Sequence, residues 1–146
     1  MSKYKVVVLA AILVFALSIP VFAASPWISV ISPNPEKIWQ QSTESMVANT
    51  EPLAVWQSGR QYMVVWEYAG LTGNVKVELL KDGKAVSVLS PAGGIPVGEN
   101  GKGLQEMYVF ATAGPGQYQI RVSSLQMPDI TSLSQAVSVN VTGIVR

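Results

Sequence analysis

Cysteine and histidine are both missing from the 146 residues. Without cysteine there is no disulfide, so a domain of this size outside the cell must be held by its core alone. Without thiolate or imidazole, zinc sites built on those ligands are excluded. A Ser-His-Asp triad and a Cys-His pair are excluded with them. Charge is scarce as well: 13% of the residues are charged and the formal net charge is +1. There is no basic excess to neutralise phosphates, and no stripe of Lys and Arg interleaved with aromatics. Nucleic acid and anionic membrane surfaces are therefore poorly matched partners.

What is present begins with one hydrophobic run. Lys3 and Lys5 precede Val6 to Ile19, in which Ser18 is the only polar residue. Pro20 breaks the helix, and Val21-Phe22-Ala23 places a small residue where a signal peptidase cuts. The run is about 14 residues, short of the roughly 20 that a membrane span needs. Residues 1–23 are thus expected to be a signal peptide cleaved after Ala23, with a retained pilin-like assembly helix as the alternative. Residues 24–146 are expected to be one secreted domain. Loss of Lys3 and Lys5 leaves eight basic against nine acidic side chains, a net charge of about −1.

Along this domain the dominant signal is period-two alternation in short runs bounded by Gly, Pro, Asn and Asp. Strands are predicted at 28–32, 61–68, 75–80, 85–89, 105–111, 117–123 and 135–142. In the second, Tyr62, Val64 and Trp66 share one face, and Met63, Val65 and Glu67 the other. In the third, Val75, Val77 and Leu79 oppose Lys76, Glu78 and Leu80. Asp82-Gly83 between two alternating runs is a strong hairpin signal. Residues 90–103, rich in Gly and Pro, read as a long loop. No amphipathic helix stands out. Seven short strands at this spacing predict an all-β, immunoglobulin-like seven-stranded β-sandwich, with a closed barrel as the alternative. Residues 34–55 have no clean period and are set down as an insertion between the first two strands: a short helix, an extra hairpin or a flap.

Several motifs occur in order. Ile28-x-Val30-x-Ser32-Pro33 is followed by Trp56-x-x-Gly59-x-x-Tyr62-x-Val64-x-Trp66, and then by Val75-x-Val77-x-Leu79-Leu80-Lys81-x-Gly83. Gly98-x-Asn100-Gly101-Lys102-Gly103, Gly116-x-Tyr118-x-Ile120-Arg121-Val122-x-Ser124 and Pro128-x-Ile130-x-x-x-Ser134 complete the set. Together they resemble the immunoglobulin-like N-terminal domain of yeast cell-wall β-glucan assembly proteins, the Ser-Thr-rich GPI-anchored membrane family. The likeness is to the form found in secreted archaeal and bacterial surface proteins. The resemblance implies a secreted β-sandwich at the cell surface, associated with walls and polysaccharide, and carries no catalytic residues. This sequence departs from the family in the length of its insertion, and neither a Ser/Thr-rich stalk nor a hydrophobic GPI tail follows the module.

The candidate binding residues are aromatic. Trp27, Trp39, Trp56 and Tyr68 are the side chains able to stack on sugar rings, with Trp39 in the insertion the best placed to be exposed. Trp66, in phase with Tyr62 and Val64, reads as core, and Trp56 as packing across one end of the sandwich. Gly98 to Gly103 lacks the spacing of a phosphate-binding loop and reads as a structural turn. A glycosidase needs two carboxyls about 5–10 Å apart. Glu67, Glu78, Glu106 and Asp129 are the ordered candidates, but none is paired in sequence, and Glu67 and Glu78 alternate with core positions. Asn140-Val141-Thr142 is a glycosylation sequon. The expectation is a non-catalytic module without cofactor or metal. It would bind cell-envelope polysaccharide or a surface protein, or self-associate through a sheet edge at 28–32 or 135–142.

Overall fold

The computed structural model describes residues 24–48, 56–57, 59–108 and 114–140. The expected signal peptide, residues 49–55 of the insertion, and the ends of the fifth and seventh predicted strands lie outside them.

Two sheets form the body. The smaller has β1 (Trp27–Ser32), β5 (Gln61–Ala69) and β9 (Lys102–Tyr108), in the order β1-β5-β9 and antiparallel throughout. The larger has β4 (Trp56–Gln57), β12 (Val137–Asn140), β10 (Gln117–Ser124), β6 (Asn74–Lys81) and β7 (Lys84–Val88), in the order β4-β12-β10-β6-β7. Two short strands join its borders: β11 (Thr131–Leu133) pairs with β10, and β8 (Ile95–Pro96) with β6. The insertion supplies a separate hairpin, β2 (Lys37–Gln40) with β3 (Ser45–Ala48). Of the three forms expected for it, the described part takes the hairpin.

Alternation places the core. In β10, Tyr118, Ile120, Val122 and Ser124 are buried and the residues between them are more exposed. Their register on β6 sets Ile120 against Leu79 and Val122 against Val77, so both strands bury the same face. From the small sheet Ile28, Val64, Trp66 and Met107 meet them in one cluster. Trp66 is wholly buried, and its indole nitrogen donates to the Val97 carbonyl oxygen at 2.7 Å. The residue facing Trp66 across the ladder is Gly103, where a Cβ would fall 2.2 Å from the ring, so only glycine fits.

Two expected faces differ. Val65 and Leu80 alternate outward, yet both are buried. Val65 sits between Ser32 and Leu104 on the outward side of the small sheet. Part of that side is therefore covered by chain rather than by solvent. Leu80 lies between Gln119 and Ala85, beside the bulge where the pairing of β6 and β7 shifts register.

The turns use the residues their geometry demands. Asp82 and Gly83, with φ of 49° and 82°, join β6 to β7 in a two-residue hairpin. Glu99 and Lys102 exchange both backbone hydrogen bonds around Asn100 and Gly101, whose φ values are 51° and 79°. The glycine-rich loop is thus a tight turn feeding β9. The segment 90–103, expected as open loop, contains both β8 and the start of β9. Between β11 and β12, Ser134 stands in for a strand: its Oγ accepts from Ile120 N–H at 2.9 Å, and its N–H donates to the Ile120 carbonyl at 2.8 Å.

Candidate functional site

The outward side of the small sheet gathers the exposed aromatic and polar groups. The ladder registers Ser29 with Glu67 and Glu67 with Lys102, so these three side chains form one row across β1, β5 and β9. Trp27 lies in the next outward row of β1, opposite Ala69, and is 44% exposed. The β2–β3 hairpin reaches this side through Lys102. The Lys102 ammonium lies 5.0 Å from the centre of the Trp39 ring and donates to the Glu44 carbonyl oxygen at 3.4 Å. It turns to the hairpin rather than to Glu67, its neighbour across the ladder. A cation over an indole face is worth about 0.5–1 kcal/mol at an exposed site, which ties the hairpin down lightly. Trp39 is half-buried beneath Lys102.

The other aromatic candidates go elsewhere. Trp56 is 4% exposed and packs against Tyr62 and Tyr118, with ring centroids at 5.7 Å and 6.4 Å. It offers no ring face to a ligand; it closes one end of the core, and at the same corner Tyr62 Oη accepts from Gln57 N–H at 2.7 Å. Tyr68 is half-buried and leans on the core beside Ile28. Asn140 is the last described residue of β12, in register with Gln57, and the rest of the sequon lies outside the described residues.

The four carboxylates are dispersed. Glu67 and Glu106 share the outward side of the small sheet but are separated by the Val65–Leu104 row. Asp129 lies exposed between β10 and β11. Glu78 is on the opposite side of the sandwich. Among the described residues no group of three or more acidic side chains is placed to hold a metal ion.

Of these four, Glu78 is the one held by neighbouring side chains. It is only 6% exposed, with Arg121 Nε at 2.8 Å and Lys76 Nζ at 3.1 Å. The alternation that reads it as solvated is correct for its direction. Each of its two carboxylate oxygens is taken by one of the two basic side chains. The Arg121 hydrogen bond holds its carboxyl below the ordinary carboxylate value, against the upward push of burial, and Lys76 adds to the lowering. Glu78 in turn raises Arg121. Ser123 and Thr131, joined Oγ to Oγ1 at 2.8 Å, border the same open depression of about 390 Å³.

The sheet edges expected to be open are partly closed. β4 runs parallel along β12 at Val139 and Asn140. On β1, the Val30 N–H donates to Ser132 Oγ at 3.2 Å. Among the described strands, β1 and β9 end the small sheet and β4 and β7 the larger, so the edge expected at 28–32 is a sheet edge while β12 is covered by β4; β7 carries a bulge and Lys84, features that blunt an edge.

The strand order defines the class. A three-stranded sheet faces a larger one in which β12, β10 and β6 stand in the order G-F-C and β7 follows as C′, with β1, β5 and β9 as A, B and E. Tyr118, near the start of the F-type strand, donates its hydroxyl to the Gly114 carbonyl four residues upstream at 2.7 Å, the tyrosine corner of such domains. The chain is an immunoglobulin-like β-sandwich. No family model and no curated protein matches it. Among solved structures it is similar to CHIR-AB1, at 15% identity over 82% of this chain and 99% of that one, with a TM-score of 0.38. It is also similar to the M1 domain from titin, at 13% identity over 63% of this chain and 89% of that one, with a TM-score of 0.34.

Proposed function

We propose that the chain is an exported, non-catalytic binding module of the cell envelope, and that it takes wall polysaccharide on the outward side of the small sheet. One observation carries this reading: the exposed Trp27 and the Lys102-capped Trp39 border a polar row of Ser29, Glu67 and Lys102. Pyranose rings present apolar faces edged by hydroxyls. Indole faces beside a carboxylate, a hydroxyl and an ammonium match both parts of that chemistry. The other members of the aromatic set do not take part, because Trp56 is sealed in the core and Tyr68 leans on it.

A glycan array tests the proposal. The wild-type protein is expected to retain one or a few polysaccharide classes. Trp27→Ala and Trp39→Ala are each expected to weaken retention at least tenfold, since stacking on one aromatic is worth about 0.5–1.5 kcal/mol beyond the buried area. A wild-type protein that binds no glycan, or one whose binding survives both substitutions, overturns it.

A further inference from the structure

The outward side of the larger sheet is the second surface of the sandwich, and polysaccharide binding as proposed leaves it unused. Lys76 and Glu78 alternate outward on β6, and the ladder sets Ser123 of β10 beside Lys76 and Arg121 beside Glu78. β11 adds Thr131 beside Ser123. These side chains line the open depression of about 390 Å³, and Leu125 and Pro128 add exposed aliphatic surface to its wall. Glu78 is sunk, whereas the Lys76 and Arg121 side chains keep 42% and 35% of their surface in solvent. Glu78 stays ionised, because the Arg121 hydrogen bond holds it below the ordinary carboxylate value. Among the residues that line the depression, two cations therefore stand against one carboxylate, and one positive charge is left over. Nor are the donors used up. Glu78 takes Nε of Arg121, one of five guanidinium N–H groups, and one of the three N–H groups of Lys76. Ser123 and Thr131 share two hydroxyl hydrogens. One closes their 2.8 Å contact, and the other reaches only the Val122 carbonyl, from Thr131 at 3.3 Å. When Thr131 donates to Ser123 instead, the Ser123 hydrogen is released to the depression.

We propose that this depression binds a peptide carboxylate with an apolar residue beside it. The carboxylate takes the outer N–H groups of Lys76 and Arg121 and the Ser123 hydroxyl, all charge-assisted bonds. The apolar side chain lies on Leu125 and Pro128. One surplus positive charge matches a monoanion and falls short of a dianion such as phosphate. The aliphatic wall favours a peptide over a bare inorganic anion. It also favours a peptide over an acidic sugar, because pyranose faces stack on aromatic rings and none lines the depression. Glu78 acts as the positioning residue. With one oxygen on each cation, it holds two long side chains in place before the ligand arrives, which lowers the ordering cost of binding. A side-chain carboxylate and a chain terminus share this chemistry, and the test has an arm for each.

Titration of the purified protein with three acetylated peptides, followed by amide NMR shifts, tests the assignment. Ala-Leu-Ala-Leu with a free C-terminus carries a terminal carboxylate. Ala-Leu-Glu-Leu-amide carries only a side-chain carboxylate, and Ala-Leu-Gln-Leu-amide carries none. Saturable shifts at Lys76, Arg121, Ser123 and Thr131 are expected from one or both of the first two peptides and not from the third. The arm that responds identifies the source of the carboxylate. Lys76→Gln and Ser123→Ala are each expected to weaken binding at least fivefold. Both side chains reach solvent, so the fold is retained, and circular dichroism checks this. Trp27→Ala is expected to leave peptide binding unchanged, so this site and the polysaccharide surface stand or fall separately. Absence of saturable shifts at millimolar peptide overturns the proposal, as does an equal response to the uncharged peptide. So does tighter binding of inorganic phosphate or glucuronate than of either carboxylate peptide, or binding indifferent to Lys76→Gln or to Ser123→Ala.

Discussion

Between β11 and β12 the chain steps away from the edge of β10, and the Ile120 N–H is left to a serine hydroxyl. Ser134 is 3% exposed, and its Oγ is the acceptor for that N–H. Ser134→Ala removes the acceptor and leaves a buried donor unpaired. A buried group stranded in this way costs about 1–3 kcal/mol. Chemical denaturation is expected to show that loss for Ser134→Ala. The exposed Ser87→Ala is expected to stay within about 0.5 kcal/mol of wild type, and equal stabilities for the two would remove Ser134 from this role. The motif Pro128-x-Ile130-x-x-x-Ser134 marks the residue by resemblance but not its role, because its partner is fourteen positions away and the need arises only where two strands change over. The same limit explains Glu78. Its direction is legible from alternation, but its strongest partner, Arg121, stands forty-three positions later. Trp66 was legible as core from its phase with Tyr62 and Val64. The glycine that makes room for it, Gly103, became intelligible only with the ladder in hand.

At the scale of elements, long strands announce themselves and short ones do not. β5, β6 and β10 each run eight or nine residues, enough for several alternations, and their positions follow from the pattern. β4 and β8 have two residues each, β11 three, and β2 and β3 four. A period of two has no room to show itself there, and β8 includes Pro96, which reads as a loop residue. The candidate site suffers from the same limitation. Each aromatic is visible in sequence, but the row that joins Trp27 to the Trp39 hairpin depends on the registers of three strands. That hairpin is held to the sheet through Lys102, which gives it a testable weakness. Lys102→Met keeps the aliphatic stem and removes both the cation over Trp39 and the bond to the Glu44 carbonyl. About 0.5–1 kcal/mol of local stability is expected to go. Amide exchange in β2 and β3 should then quicken by roughly two- to five-fold while β10 is unaffected. Unchanged protection in the hairpin would mean that other contacts hold it.

For the whole molecule, the geometry of a sandwich separates the two surfaces. Its sheets are stacked, so the outward side of one points away from the outward side of the other. The polysaccharide surface proposed on the small sheet therefore occupies one side of the molecule alone. A molecule with one sugar-binding side takes up polymer without bridging two surfaces. Particles coated with the bound polysaccharide are expected to take up the protein and stay dispersed, and Trp27→Ala is expected to abolish the uptake. Clumping by the wild-type protein would place a second sugar contact elsewhere, because one side of one sheet cannot hold two particles together.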